Sequence, residues 1–256
     1  MPAPATMSNR TANLVEIFSS IQGEGLLIGV RQIFLRFKSC NLECVYCDTQ
    51  NQAGSDYCNV EISPGRREFV RTINPLDISY LMNILNKWQE DFPGVHHSIS
   101  ITGGEPLLEH DILLEWLPIL RNTFPIYLET NGTLHLALSS LIGYLDFISM
   151  DIKLPSTSGQ ADMWDSHWEF LKIAVKKDVF VKIVVDDTTE NWELIKSCEL
   201  ISSVDRRIPL VLQPLTLDSG GVGIAPHRLL ELQQIAARHL KQIRIIPQAH
   251  KFLGLL

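Results

Sequence analysis

Long apolar stretches are missing from this chain: no uninterrupted run approaches the roughly 20 residues that span a bilayer. The opening Met-Pro-Ala-Pro-Ala-Thr-Met lacks the basic stretch and apolar run of a secretory leader. A cytoplasmic protein without membrane contact is expected. Positive charge is also in short supply. Lys and Arg total 22 against 29 Asp and Glu, a net charge of −7, which argues against a nucleic-acid partner and its basic footprint. Charged residues make up 20% of the chain, below the usual quarter. With 45% hydrophobic residues over 256 positions, there is ample material for a core. Repeats, low-complexity tracts and interdomain linkers are absent as well. One domain is expected over residues 13–256, preceded by a frayed tail at 1–12 in which Met7 is an alternative start.

Cysteine is scarce, and most of it is concentrated in one place. The five are Cys40, Cys44, Cys47, Cys58 and Cys198, an odd number in a chain too long for a disulfide-stapled miniprotein. Cys40-x3-Cys44-x2-Cys47 brings three soft thiolates within reach of one centre, which suits zinc or an iron–sulfur cluster. Structural zinc normally takes four ligands, so it needs Cys58 or a distant histidine. A cubane holds three thiolates and leaves one iron for a non-protein ligand. Cys58 and Cys198 otherwise read as packed thiols, and His96-His97 as structural or solvent-exposed.

Beyond the tail, β-rich apolar runs alternate with amphipathic stretches. Strands are expected at 32–37, 97–102, 125–130, 145–150, 179–185 and 208–213. Helical patterns lie at 76–88, 107–120, 134–144, 164–175, 193–201 and 227–240. Strand, helix, strand at this spacing means a parallel sheet with crossover helices, and six strands fall short of the eight in a closed barrel. The expected fold class is α/β, a partial (β/α)6-type barrel with edge additions at Leu14–Phe18 and Ile243–Ile246. Residues 56–71 read as a polar insertion too small to be a domain, its role open.

In such folds reactive groups sit where the strands end. Five expected strands run into polar residues: Arg36-Phe37-Lys38-Ser39 ahead of the cysteine loop, Thr102-Gly103-Gly104-Glu105-Pro106, Glu129-Thr130-Asn131-Gly132, Ser149-Met150-Asp151-Ile152-Lys153, and Gln213-Pro214. All five are expected to face one mouth. Paired glycines at 103–104 let a ligand approach the backbone, and Glu105 suits an amine. The plainer reading is a tight turn with an acidic helix start. Gly23-Glu24-Gly25 reads equally well as a flexible loop.

Taken in order, the cysteine motif with Tyr46 before its last cysteine, and then Gly103-Gly104-Glu105-Pro106, resemble the signature of the radical S-adenosylmethionine (SAM) superfamily. Four further stretches narrow the resemblance: Ser20-Ile21-Gln22-Gly23-Glu24-Gly25, Cys47-Asp48-Thr49, Glu129-Thr130-Asn131-Gly132-Thr133, and Ile246-Pro247-Gln248-Ala249-His250-Lys251-Phe252-Leu253-Gly254. From about residue 14 onward the chain resembles the 7-carboxy-7-deazaguanine synthase (QueE) family. The resemblance implies a radical SAM partial barrel with a [4Fe-4S] cluster on Cys40, Cys44 and Cys47, whose open iron chelates SAM. The implied lyase reaction belongs to queuosine and deazapurine biosynthesis. A 5′-deoxyadenosyl radical takes hydrogen from C6 of 6-carboxy-5,6,7,8-tetrahydropterin, the ring contracts, ammonia leaves, and SAM is regenerated. The protein's part is orientation and exclusion of side reactions.

Carried over position by position, the resemblance sets Tyr46, Asp48, Gly104, Glu105, Asp151, Lys153 and Gln213 around SAM, with the Glu105 carboxylate on its ammonium group. Thr49 would give Mg²⁺ a hydroxyl oxygen beside the substrate carboxylate. Ile21, Gln22, Gly23, Arg36, Thr102 and Glu129 would hold the pterin, and His250 with the Leu256 terminus would close the pocket, so an extension past Leu256 is expected to impair turnover. A flavodoxin or ferredoxin is the implied electron donor, and a homodimer the implied assembly. Two rivals stand beside this reading. A glycyl-radical-enzyme activase shares both motifs but acts on a large protein, and a non-catalytic zinc-binding interaction module would use Cys58 as fourth ligand. A SAM-dependent methyltransferase is disfavoured by the lack of a strand–Gly-x-Gly–helix fingerprint.

Overall fold

A computed structural model of the protein describes residues 11–47 and 56–256. Its strands are β1 (Thr11–Ala12), β2 (Leu14–Ile21), β3 (Arg31–Phe37), β4 (Tyr57–Glu61), β5 (Phe69–Ile73), β6 (Leu76–Asp77), β7 (Ser98–Gly103), β8 (Ile126–Thr130), β9 (Phe147–Asp151), β10 (Asp178–Val185), β11 (Leu210–Pro214) and β12 (Ile243–Ile245). The helices are α1 (Ile78–Asp91), α2 (His110–Leu120), α3 (His135–Leu141), α4 (Pro155–Ser158), α5 (Trp164–Ala174), α6 (Asn191–Asp205), α7 (Pro226–Ala237) and α8 (Ala249–Leu253). Ten strands make one open sheet in the order β12-β11-β10-β9-β8-β7-β3-β2-β4-β5. From β3 through β12 every neighbouring pair is parallel. Helices α1, α2, α3, α5, α6 and α7 lie in the connections between successive parallel strands, as the expected partial barrel requires.

Three expectations need correcting. The N-terminal addition is not at an edge: β2 runs antiparallel to β3, and β4 and β5 continue the sheet beyond it. The supposed polar insertion supplies those outer strands. Its β-formers, Tyr57, Val60, Phe69, Val70, Thr72 and Ile73, flank a Ser63-Pro64-Gly65 turn, so average polarity hid a hairpin. Residues 11 and 12, expected in a frayed tail, belong to the fold. Thr11–Ala12 pairs with Leu76–Asp77, Ala12 is fully buried, and the Asn74 side chain bonds both the N–H and the carbonyl of Leu14. Residues 1–10 lie outside the described part.

Alternation along the strands sorts residues to two faces. On β8, β10 and β11, Ile126, Leu128, Val181, Ile183, Leu210 and Leu212 join the main core, where Trp88 of α1 and Trp116 of α2 are almost fully buried. The intervening Tyr127, Phe180 and Val211 turn to the other face and form a smaller cluster with Ile246, Leu26 and Leu27. This second cluster plugs the inner face at one level. At the next level along the strands the inner residues turn polar.

Candidate active site

Continuing the same alternation places Arg36, Thr102, Glu129, Asp151 and Gln213 on the inner face near the strand ends, with Lys182 from the middle of β10 level with them, and all six line one pocket. Register fixes who meets whom. Arg36 stands beside Thr102, Glu129 beside Ser149, Asp151 beside Lys182, and Val184 beside Gln213. The five polar strand ends share a mouth, and β10 contributes a sixth group, Lys182, that the sequence reading missed. Its signal was a single charge inside the apolar run Phe180-Val181-Lys182-Ile183-Val184-Val185.

Lys182 joins two acids. Its ammonium pairs with Glu24 and lies 3.2 Å from Asp151 Oδ2, which also takes a 2.7 Å bond from Lys153. Burial opposes ionisation of Glu24, but Lys182, together with Gln248 and His250, outweighs it and holds the carboxyl down to about 2. Burial likewise opposes charge on Lys153 and Lys182, yet Asp151 keeps both well above the ordinary lysine range. Two acids and two bases thus balance on the pocket wall. Gln248 Nε2 donates to Glu24 Oε1 at 2.7 Å, so Gly23-Glu24-Gly25 is a bonded corner where a flexible loop was one reading.

Glu129 is held differently. Its carboxylate accepts from Gln22 Nε2 at 2.7 Å, Thr102 Oγ1 at 2.8 Å and Ser100 Oγ at 3.2 Å. Gln22 also donates to Gln32 and, through its carbonyl oxygen, accepts from the Glu24 N–H. Ile21, Gln22 and Gly23 line the pocket beside this group, with His250 over Gly23, where a Cβ would sit 1.9 Å from the imidazole. Leu256 lines it as well, its main-chain oxygen accepting from Ser20 Oγ at 2.9 Å. Arg36 reaches Glu16 at 3.3 Å and keeps further donors of its fork for a ligand.

The cysteine loop follows β3 and is clamped from three sides. Gly104 and Glu105 donate their N–H groups to Phe37 and Ser39, Asn131 Nδ2 donates to Asn41, and Val45 donates to the Ser158 carbonyl at the end of α4. A Cβ on Gly104 would lie 2.2 Å from the Ser39 carbonyl, so only glycine allows this approach. Cys40, Cys44 and Cys47 all line the pocket. Burial pushes Cys44 up to about 11 and raises Cys40, so these thiols ionise only against a cationic partner. Among the described residues no group of three or more His, Cys, Asp and Glu side chains is arranged for a single metal ion. Three thiols carried on one loop and lining the same pocket are the donor set that a [4Fe-4S] cluster takes from a protein. The zinc reading loses its fourth ligand, because Cys58 is fully buried in the apolar core. Cys198 is likewise buried, on α6, and His96 is a structural residue bonded to Ser19 Oγ at 2.8 Å.

Glu105 faces away from the pocket in which SAM is expected. The Glu105 carboxylate is fully buried and accepts from Leu107 N–H at 3.1 Å, Asn131 N–H at 2.7 Å and Thr130 Oγ1 at 2.9 Å, away from the pocket lining. Burial pushes it up to about 7 despite these donors. It ties the loop after β7 to the loop after β8, while Gly103 and Gly104 line the pocket. Asp48 and Thr49 lie outside the described residues. Tyr46 does line the pocket, its ring 5.2 Å from the Lys153 ammonium.

Three buried polar atoms on the wall, Asp151 Oδ1, Gln213 Oε1 and Thr216 Oγ1, have no hydrogen-bond partner among the described residues. Such atoms are costly unless a ligand completes them. Hydroxyl groups of a nucleoside would satisfy two acceptors and a hydroxyl, so the donor set fits SAM beside the three thiols.

Comparison with known proteins agrees. The Radical SAM superfamily model matches residues 35–201. The chain is 53% identical to 7-carboxy-7-deazaguanine synthase of Geobacter sulfurreducens over 98% of its own length and all of that protein. It is 35% identical to the synthase of Methanothermobacter thermautotrophicus, covering 95% and 98% of the two chains. The crystal structure of QueE from Escherichia coli shares the fold, with a TM-score of 0.59 at 21% identity over 94% of this chain and 95% of that one. The chain belongs to the radical SAM superfamily and, within it, to the 7-carboxy-7-deazaguanine synthases.

Proposed function

We propose that the pocket holds 6-carboxy-5,6,7,8-tetrahydropterin against Glu129 and Arg36, with SAM between the substrate and the cysteine loop, for the ring contraction that the family performs. The observation that carries this is the braced Glu129 carboxylate in the same pocket as the three cysteines. An anionic acceptor fixed by three donors suits the N–H edge of a pterin, and the Arg36 fork suits its carboxylate. Gln22 and Thr102, which orient Glu129, border that edge. When bound, the [4Fe-4S] cluster and SAM supply the radical chemistry. Cys40, Cys44 and Cys47 would hold the cluster, Asp151 and Gln213 the SAM hydroxyls, Lys153 its carboxylate, and the Gly104 main chain its methionine end. Tyr46 and Asp48 would lie against SAM. Glu105 serves as a brace for the Gly104 turn. Thr49 would share Mg²⁺ with the substrate carboxylate and water. His250 and Leu256 cover the pterin and keep water out.

The remaining expectations follow the same reading. An electron must enter from outside, and a flavodoxin or ferredoxin is its natural carrier. Residues from β1 onward work as one domain, in support of which the main apolar core draws on residues from Ala12 to Leu240. A homodimer in the cytoplasm is the proposed setting. Among the described residues no helix is long and apolar enough to cross a membrane.

The test is anaerobic reconstitution with iron and sulfide, followed by SAM, Mg²⁺, dithionite and the pterin, with products read by mass spectrometry. Formation of 7-carboxy-7-deazaguanine, abolished in Cys44→Ala, is the expected outcome. If 5′-deoxyadenosine accumulates without the deazapurine, the substrate assignment fails and a protein substrate, as for a glycyl-radical activase, takes its place.

A further inference from the structure

The hairpin formed by β4 and β5 has no place in the chemistry above, yet one carboxylate and one guanidinium tie it to the two segments that lead into the pocket. Glu61, at the end of β4, is 1% exposed. Its Oε2 accepts from the Ser19 N–H at 2.9 Å, and its Oε1 accepts from the Arg67 N–H at 2.7 Å. The first bond fixes the part of β2 that leads directly into Ile21, Gln22 and Gly23. The second fixes a turn residue with an unusual backbone. Among the described residues Arg67 is the only non-glycine with positive φ, at 61°. A long, charged side chain gains nothing locally from this conformation. What the conformation does is aim the guanidinium across the sheet edge, where Nη1 donates to the Gly254 carbonyl at 2.7 Å. Two residues further on, the Leu256 main-chain oxygen is held by Ser20, the neighbour of the serine that Glu61 pins. The segment between is tied at its start by Ala249 N–H to the Gly23 carbonyl and internally by Leu255 N–H to the His250 carbonyl.

We propose that Glu61 and Arg67 are positioning residues for the pterin site. Glu61 sets the β2 corner and the hairpin turn together, and Arg67 straps residues 249–256 down so that His250 and Leu256 stay over the substrate. Among the described residues the SAM side of the pocket, built on the ends of β9 and β11 and the cysteine loop, takes no side-chain bond from Glu61 or Arg67. The strap therefore acts on one substrate only. This inference rests on the assignment of His250 and Leu256 to the pterin.

Arg67→Gly is the informative variant, because glycine adopts the left-handed conformation freely, so the side chain is lost without backbone strain. In the reconstituted enzyme we expect the KM for the pterin to rise on the order of tenfold, the worth of one charge-assisted hydrogen bond. The KM for SAM and the iron content should match the parent, and hydrogen exchange at the Ala249 and Leu255 amides should quicken. Arg67→Lys should recover part of the pterin affinity, since it restores a donor without the fork. Unchanged exchange at both amides would show that Arg67 does not hold the segment and would overturn the strap. Faster exchange with an unchanged pterin KM would overturn the proposal by a different route, because the segment would then be strapped but would not belong to the pterin site.

Discussion

A lysine inside a buried apolar strand is tolerated only when charge faces it, and Lys182 has Glu24 on one side and Asp151 on the other. Removing it leaves Glu24 without its lysine, while Asp151 keeps Lys153. Lys182→Met should lower the unfolding free energy by about 3 to 5 kcal/mol, the usual cost of breaking a buried ion pair. Adding Glu24→Gln should recover part of that loss, and urea titration of the single and double variants would measure the coupling. Much at this scale was legible beforehand, because strand-end polarity is a local property: Arg36, Thr102, Glu129, Asp151 and Gln213 all line the pocket. Lys182 sits mid-strand, and a rule about strand ends passes over it. Glu105 shows the opposite limit. Spacing put it at the correct turn but carried no information on which way its carboxylate points, and the donors of Asn131 and Leu107 decide that.

At the scale of elements, the cysteine loop depends on close backbone approach at Gly104. Gly104→Ala should displace Ser39 and Cys40 and lower the iron content after reconstitution, while leaving the far-ultraviolet circular dichroism at the parent's level. Full iron loading in that variant would show that the loop tolerates the shift. The six parallel strands and their crossover helices were readable because apolar β-rich runs and helical periodicity are strong signals over such lengths. The β4–β5 hairpin was not. Its strands are half exposed, with Ile62, Val70 and Ile73 open to solvent, and their polar neighbours mask the alternation. The place of β2 inside the sheet was also beyond reach, since pairing partners are set by tertiary contacts that a single strand does not encode.

For the molecule as a whole, three buried titratable groups give stability a dependence on pH whose parts oppose each other. Burial, aided by Arg31, holds His96 down to about 4, and burial holds His167 down to about 4 against its bond to Asn131. Both are neutral in the folded state but take a proton near 6.5 once unfolded, so their contribution is present above that pH and lost toward about 4. Glu105, raised to about 7 from 4.5, does the reverse: the folded state keeps its proton longer, and stability is gained as pH falls between those values. From about pH 7 to about pH 5 the histidines together cost roughly 4 kcal/mol and Glu105 returns roughly 2. The parent should therefore lose about 2 kcal/mol of unfolding free energy over that interval, and Glu105→Gln about 4, as measured by urea unfolding at the two pH values. Equal losses would mean that Glu105 titrates at its ordinary value.

The contacts that cover the pocket join residues very far apart in sequence. Ser20 meets Leu256 across 236 positions, and Arg67 meets Gly254 across 187. Such contacts close the longest loops in the molecule and form late. During synthesis the cysteine loop and the β4–β5 hairpin leave the ribosome long before residues 249–256 exist. The pterin side of the pocket is therefore the last part to be roofed, after the strands that form its walls have been made.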